Sequence, residues 1–156
     1  MMHKYQELNF LQKKIAEIKI AFFEADTNGN EFLIPNNIVS ALQSDAEGNM
    51  LFYTKGYGNV TQYINSGFHA SLTFSQKGGA YRLHVEGKAK VIKNDFSQNY
   101  KNLPWNNILI EMKIEHAEYF EKKSIHNASS FKTRMNGFFS GLLLPHHYRR
   151  FDFGHR

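Results

Sequence analysis

The chain has 156 residues, of which 42% are hydrophobic and 15% aromatic, and its formal net charge is +5 at pH 7. This length favours one domain with a sizeable core, and the apolar content excludes a disordered chain. The absence of cysteine excludes disulfides, thiolate metal sites and a cysteine nucleophile. Since no window is apolar enough to span a bilayer and no signal-peptide pattern is present, we expect a cytoplasmic protein.

The first predicted element is an amphipathic helix over residues 3–18, because Leu8, Leu11 and Ile15 recur at helical spacing. A β-branched and aromatic run, IKIAFFEAD, then predicts a strand that ends at the turn sequence TNGN. The following apolar run contains Pro35, which indicates an edge strand or a bulge.

Four further strands are predicted along the chain, in the runs MLFYTK, FHASLTFSQ, YRLHVEGKAKVI and NILIEMKIEHAEYFEKK. Gly87 lies in the middle of the third run and predicts a bulge or a close backbone approach. A polar linker before the last run predicts a short helix. About six antiparallel strands of this kind close into a barrel or a sandwich, which removes their edges. The predicted fold is therefore mainly β, with an N-terminal helix and short connecting helices.

The C-terminal segment is basic and aromatic, with five cations and one acidic residue between Phe131 and Arg156. Aromatic residues beside Arg149 and Arg150 could stack on the bases of a single-stranded nucleic acid. We favour the alternative, in which this segment packs on the barrel or on a second subunit. We expect a single domain over residues 1–156, made of a helix (1–18), a barrel (19–122) and this segment (123–156).

The histidines do not predict a metal site. His146 and His147 are adjacent, and neighbouring residues on a strand point to opposite sides of it. No third ligand stands at a suitable spacing. We expect His69 and His84 to be solvated on the polar faces of neighbouring strands.

Three sequence segments together resemble the pyridoxamine 5′-phosphate oxidase-like, FMN-binding split-barrel family, and its general stress protein 26-like branch in particular. They are ALQSDAEGNMLFYT, FHASLTFSQKGGAYRLHVEGKAKVIKND and IEHAEYFEKK. The resemblance runs from about Leu11 to Lys122. It implies a homodimer of six-stranded split barrels, with two FMN molecules in grooves at the dimer interface.

The resemblance also implies which residues hold the cofactor. On the second strand they are Val39 and Ser40, which follow Ile38, and on the third strand they are Tyr53, Thr54 and Lys55. The loop after the third strand contributes Asn59, Val60 and Thr61. Trp105, before the last strand, would lie near the partner subunit's flavin. No side chain is nominated as a general acid or base.

The chain departs from the family pattern at the phosphate. Gly58 and Val60 stand where the family commonly has a serine and a lysine, and the second strand lacks the usual arginine. The remaining candidates for the phosphate are Lys55, the hydroxyls of Thr54 and Thr61, and the N–H groups of the glycine-bearing loop. On a purely structural interpretation, Gly56 and Gly58 supply positive φ angles and Asn59 caps a helix.

The function that the resemblance implies is a flavin-dependent oxidoreductase, which would transfer electrons from a nicotinamide donor to a small acceptor. The alternative is a barrel without catalytic activity that holds no cofactor, or holds haem or a deazaflavin. The missing phosphate partners favour this alternative.

Overall fold

A computed structural model of the chain describes residues 2–27, 33–40, 42–58, 60, 66–95, 105–122 and 146–154. Within these residues the protein has one helix and one antiparallel sheet of eight strands. In chain order the elements are α1 (Met2–Ile18), β1 (Ile20–Asp26), β2 (Asn37–Ser40), β3 (Gln43–Ser44), β4 (Asn49–Gly56), β5 (Phe68–Ser75), β6 (Tyr81–Asp95), β7 (Asn106–Lys122) and β8 (His146–Asp152).

The fold is mainly β, as predicted, but its strand count is higher than six. Besides the six predicted strands, the described sheet contains the two-residue β3 and, in the C-terminal segment, β8. Most of the residues predicted to form short connecting helices lie outside the described residues. Pro35 precedes β2 instead of interrupting it, and β2 is the end strand of the described sheet.

The strand order is β2-β1-β5-β6-β7-β4-β3, and β8 pairs with β7 outside this path. The 17-residue β7 is the central element. One of its sides pairs with β6. On the other side, residues 106–113 pair with β4, and residues 116–122 pair with β8. Thirteen of the 17 residues of β7 are therefore paired with two neighbouring strands.

The core lies on the face of the sheet that α1 covers. Leu8, Leu11 and Ile15 of α1 are buried, and the strands alternate inward apolar with outward polar residues, as the period of a half-buried strand requires. Phe23 and Phe52 meet edge to face in this core, with 5.1 Å between their ring centroids. The amphipathic face predicted for the helix is thus confirmed.

A β-bulge interrupts the pairing of β6 and β7, at the glycine where the sequence predicts one. Glu86 faces His116, whereas Gly87 faces Ile114, so one residue of β7 is left over. A Cβ on Gly87 would overlap the carbonyl oxygen of Lys113. Both parts of the prediction, a bulge and a close backbone approach, are confirmed.

The turn between β3 and β4 is held by the carboxylate of Asp45. Its Oδ1 accepts hydrogen bonds from the backbone N–H groups of Glu47 (2.9 Å) and Asn49 (2.8 Å), and its Oδ2 accepts one from Nδ2 of Asn49 (2.8 Å). Gly48 completes the turn with a φ of +87°, which glycine adopts without strain. Partial burial raises the pKa of Asp45, but the hydrogen bonds from Asn49, Glu47 and Gly48 outweigh it and lower the pKa below 3.8.

We expect Asp45→Ala to lower the free energy of unfolding at pH 7 by about 1 kcal/mol, an amount limited by the exposure of the side chain. Because the pKa of Asp45 is lower in the folded than in the unfolded state, its charge stabilises the fold above the unfolded value. That contribution is lost as the pH falls below 3.8 and through the folded pKa. Urea unfolding at pH 7 and at low pH measures the difference between the two proteins. A difference that persisted undiminished in acid would contradict this role.

The end of the C-terminal segment joins the sheet as β8. Phe151 and Phe153 are buried in the core, while Arg150 is exposed. The guanidinium of Arg149 lies 5.2 Å from the centre of the Phe10 ring, and the hydroxyl of Tyr148 donates to Glu118 (3.0 Å). This part of the segment thus packs on its own barrel, with two aromatic side chains inward, Arg149 over the Phe10 ring and Arg150 exposed.

Candidate functional site

The end strand β2 of the described sheet approaches β4, the strand next to the other end of the sheet. These strands do not pair with each other, yet some of their Cα atoms come within 8 Å. Ile38 and Ser40 of β2 are exposed on the outer face, as is Tyr53 of β4. We call the gap between these two strands the β2–β4 split. It is the place where the family resemblance implies a cofactor.

Lys55 and Trp105 come together beside this split. The pairing of Lys55 with Asn107 places the residue before β7 beside the end of β4. The Nζ atom of Lys55 lies 4.9 Å from the centre of the Trp105 ring, within the range of a cation–π contact. Both side chains are half-buried. A positive charge and an aromatic ring, nominated from distant parts of the sequence, therefore form one surface.

Other candidates point into the barrel. Val39 and Val60 are buried core residues, with exposures of 2% and 1%. Thr54 is also buried, and its Oγ1 has no hydrogen-bond partner in the described structure. Because neighbouring residues of a strand face opposite sides, the hydroxyl of Thr54 lies across the sheet from the ammonium of Lys55.

The loop after β4 is anchored to the segment before β2. The backbone N–H of Tyr57 donates to the carbonyl of Leu33 (2.7 Å). Gly58 has a φ of +63°, as predicted, but Gly56 does not have a positive φ. A Cβ on Gly56 would lie 3.1 Å from side-chain atoms of Ile108, so this glycine packs closely against β7. Asn59 and Thr61 lie outside the described residues.

The donor chemistry of the outer face fits an aromatic phosphate monoester. Lys55 could supply a cation to a phosphate, Ser40 and Tyr53 could supply hydroxyls, and Trp105 could supply an aromatic surface. The inward candidates do not add to this set, since their side chains belong to the core. The outer residues of the β2–β4 split are thus those that could hold FMN.

The sequence analysis missed a hydrogen-bonded group on the outer face of β5 and β6. Nδ1 of His84 lies 2.9 Å from the hydroxyl of Thr73, and Nε2 lies 2.9 Å from Oε1 of Glu86. The carboxylate cannot donate, so a neutral His84 carries its proton on Nε2 and accepts from Thr73 at Nδ1. His69 is exposed, as predicted, whereas His84 faces outward as predicted but its side chain is only 25% exposed. The signal was available, because Thr73 and His84 are outward residues of two paired strands.

Two searches of the described structure gave negative results. Across the described ranges, no three His, Asp or Glu side chains lie close enough to hold a metal ion. The described part of the chain also has no helix long and apolar enough to cross a membrane.

Comparison with known proteins shows which fold this is. No family model matches the sequence, and no curated protein matches it either. Solved structures do match. A protein assigned as general stress protein 26 from Jannaschia sp. CCS1 has a TM-score of 0.53 at 10% identity, over 96% of this chain and 99% of that chain. The chain has the split-barrel fold.

Two further split barrels support this assignment. The general stress FMN/FAD binding protein from Xanthomonas citri has a TM-score of 0.52 at 16% identity, over 78% of this chain and 96% of that chain. A Clostridium acetobutylicum protein of the pyridoxinephosphate oxidase family, related to general stress protein 26 of B. subtilis, has a TM-score of 0.51 at 14% identity, over 75% of this chain and 89% of that chain. The resemblance found in the sequence is confirmed for the fold. At these identities the likeness extends no further.

Proposed function

We propose that this split barrel binds FMN in the β2–β4 split and is a flavin-dependent oxidoreductase of a small molecule. The observation that carries the proposal is the cation of Lys55 beside the Trp105 ring, at the position where the sequence resemblance puts the cofactor. The Xanthomonas citri split barrel, described as an FMN/FAD binding protein, supports the choice of ligand.

Each outer residue has a role in this proposal. Lys55 binds the phosphate through charge-assisted hydrogen bonds, which are stronger than neutral ones. Ser40 and Tyr53 orient the cofactor from the two sides of the split, and Trp105 excludes water from the aromatic ring. When bound, FMN supplies two-electron transfer, here from a nicotinamide donor to a small acceptor.

The proposed assembly is a homodimer, in which the partner subunit covers the β2–β4 split. A phosphomonoester carries nearly two negative charges, and one described cation, Lys55, faces it in a single chain. A second subunit would restrict water at the site and so strengthen this interaction. Light scattering during gel filtration gives the mass, and a monomer that binds FMN tightly would contradict the dimer but not the cofactor.

The test of FMN binding is spectroscopic. The protein is purified without added cofactor, its visible spectrum is recorded, and the stripped protein is titrated with FMN while flavin fluorescence and melting temperature are followed. We expect the two visible bands of oxidised flavin, or saturable quenching with a rise in melting temperature. A colourless protein that changes neither signal in excess FMN would rule the proposal out.

A second candidate function is a barrel that binds no flavin. The buried side chain of Val60 and the inward hydroxyl of Thr54 favour it, because they leave Lys55 with few described partners for a phosphate. Such a barrel would bind another ligand without catalysis. A Soret band in the purified protein would indicate haem, and a colourless protein that does not bind FMN would indicate a module without either cofactor.

A further inference from the structure

A second groove, of about 790 Å³, lies on the outer face of the sheet. Its floor is formed by Ile20 and Phe22 of β1 and Ile38 of β2, and its walls by the end of α1 and the hairpin between β5 and β6. We call it the β1 groove. Its volume is within the range of small-molecule sites in proteins, roughly 300–1,000 Å³.

The floor of the β1 groove is an exposed apolar surface. Ile20, Phe22 and Ile38 have exposures of 53%, 44% and 67%. They are neighbours in space, because Phe22 and Ile38 are register partners and Ile20 lies two residues along β1. Large apolar side chains that are grouped on a surface, and not scattered, mark places where a ligand or partner binds.

One end of the β1 groove is positively charged. Arg82 of β6 and Lys77 of the hairpin line this end, and both are exposed. Neither forms an ion pair with the described residues. Ser75, the register partner of Arg82, adds a hydroxyl there. This end therefore offers a carboxylate two free cations and a donor.

The acidic residues of the groove fix the direction of an anionic ligand. The carboxylate of Glu17 is already engaged, since it accepts a hydrogen bond from the hydroxyl of Tyr81 (3.0 Å) and pairs with Lys14 (3.4 Å). Glu24 lies beyond Phe22 on β1, away from Arg82. Its charge disfavours an anion at that end, so a negative group is directed toward Arg82.

We propose that the β1 groove binds a linear apolar carboxylate, with its chain over Ile20, Phe22 and Ile38 and its carboxylate at Arg82 and Lys77. Three strand spacings separate β2 from β6, a distance of roughly 14 Å. With carbon–carbon bonds of about 1.5 Å in a zigzag, an extended chain of about ten to twelve carbons spans it. The proposal does not depend on FMN binding.

In the first test, the full chain is titrated with decanoate below its micellar concentration. Calorimetry and the shifts of the amide resonances of β1 and β5 measure the binding. We expect one saturable site with shifts around Phe22. Octanoate should bind about tenfold more weakly than decanoate, since two fewer methylene groups are buried. Decyltrimethylammonium, which carries the opposite charge, should not bind.

The second test compares two variants of β6, in each of which glutamine replaces one exposed cation. Arg82→Gln should weaken decanoate binding about tenfold, through loss of a charge-assisted hydrogen bond. Lys88→Gln is the matched control, because Lys88 is an exposed cation of β6 that does not line the groove. Its affinity should equal that of the parent protein.

Four results would overturn the proposal. Decanoate could fail to bind saturably, or Arg82→Gln could bind it as tightly as Lys88→Gln does. FMN could displace decanoate competitively, which would make the groove part of the flavin site. Finally, Phe22→Ser could convert a dimer into monomers in gel filtration, which would show that a second copy covers the floor.

Discussion

Replacement of Gly87 by alanine is expected to lower the free energy of unfolding by at least about 3 kcal/mol, or to prevent folding altogether. The new Cβ would overlap the carbonyl oxygen of Lys113, and the next nearest atoms, the carbonyl carbon of Lys113 and the backbone nitrogen of Glu115, also belong to β7. Lys113 pairs with Asn49 on one side of β7 and with Lys88 on the other, so its carbonyl group cannot move away as a flexible side chain could.

Chemical denaturation of the variant measures this effect, with expression in the soluble fraction as a first readout. Gly78→Ala is the matched control. Gly78 has a φ of +88°, but a Cβ there would meet no atom within 4 Å, so its cost is only that of the backbone conformation, about 1 kcal/mol. A loss at Gly87→Ala no larger than the loss at Gly78→Ala would contradict the role of the close approach of β7 to Gly87.

Replacement of Lys55 by glutamate is expected to reduce the affinity for FMN by at least about 100-fold. The change removes the ammonium group that the proposal assigns to the phosphate, and puts a negative charge in its place. The stability of the fold should change little, because the cation–π contact with Trp105 is worth about 0.5–1 kcal/mol. Titration with FMN, followed by flavin fluorescence, gives the affinity of each protein.

Two control variants separate a local role of Lys55 from general effects. Lys113→Glu changes the net charge equally, but Lys113 pairs with Asn49 at the far end of the β4–β7 ladder, so FMN affinity should be unaffected. Thr54→Val removes the buried, unpartnered hydroxyl and should leave FMN affinity unchanged too. If Lys113→Glu weakened binding as much as Lys55→Glu, the phosphate would not be held at Lys55.

Local patterns in the sequence predicted much of this fold. The alternation of apolar and polar residues in β5 predicted which face of the strand is buried, and the position of Gly87 inside a strand pattern predicted the bulge. Both predictions depend only on the period of a strand. The pairing of β8 with β7 could not be predicted in this way. It joins residues about 30 positions apart in the chain, such as Tyr148 and Glu118, and no local periodicity reports on such a contact.

The candidate site was predicted less well, for a reason that was also visible in the sequence. The sequence analysis nominated three consecutive residues of β4, Tyr53 to Lys55. The side chains of neighbouring strand residues point to opposite faces of the sheet, so they cannot all contact one ligand. Application of that rule separates Thr54 from Lys55 without a structure. In contrast, the contact between Lys55 and Trp105 required the register of β4 on β7, which only the structure provides.

The central place of β7 has a consequence for synthesis on the ribosome. The strands β4 and β6 emerge before residues 106–122, yet β4 has its longest pairing with β7, and β6 has one of its two pairings with β7. Without β7, β4 has only the two-residue β3 as a partner. About three quarters of the polypeptide must therefore be made, and kept from aggregating, before the sheet can close. A nascent chain stalled before residue 106 should consequently be bound by chaperones and cut readily by proteases.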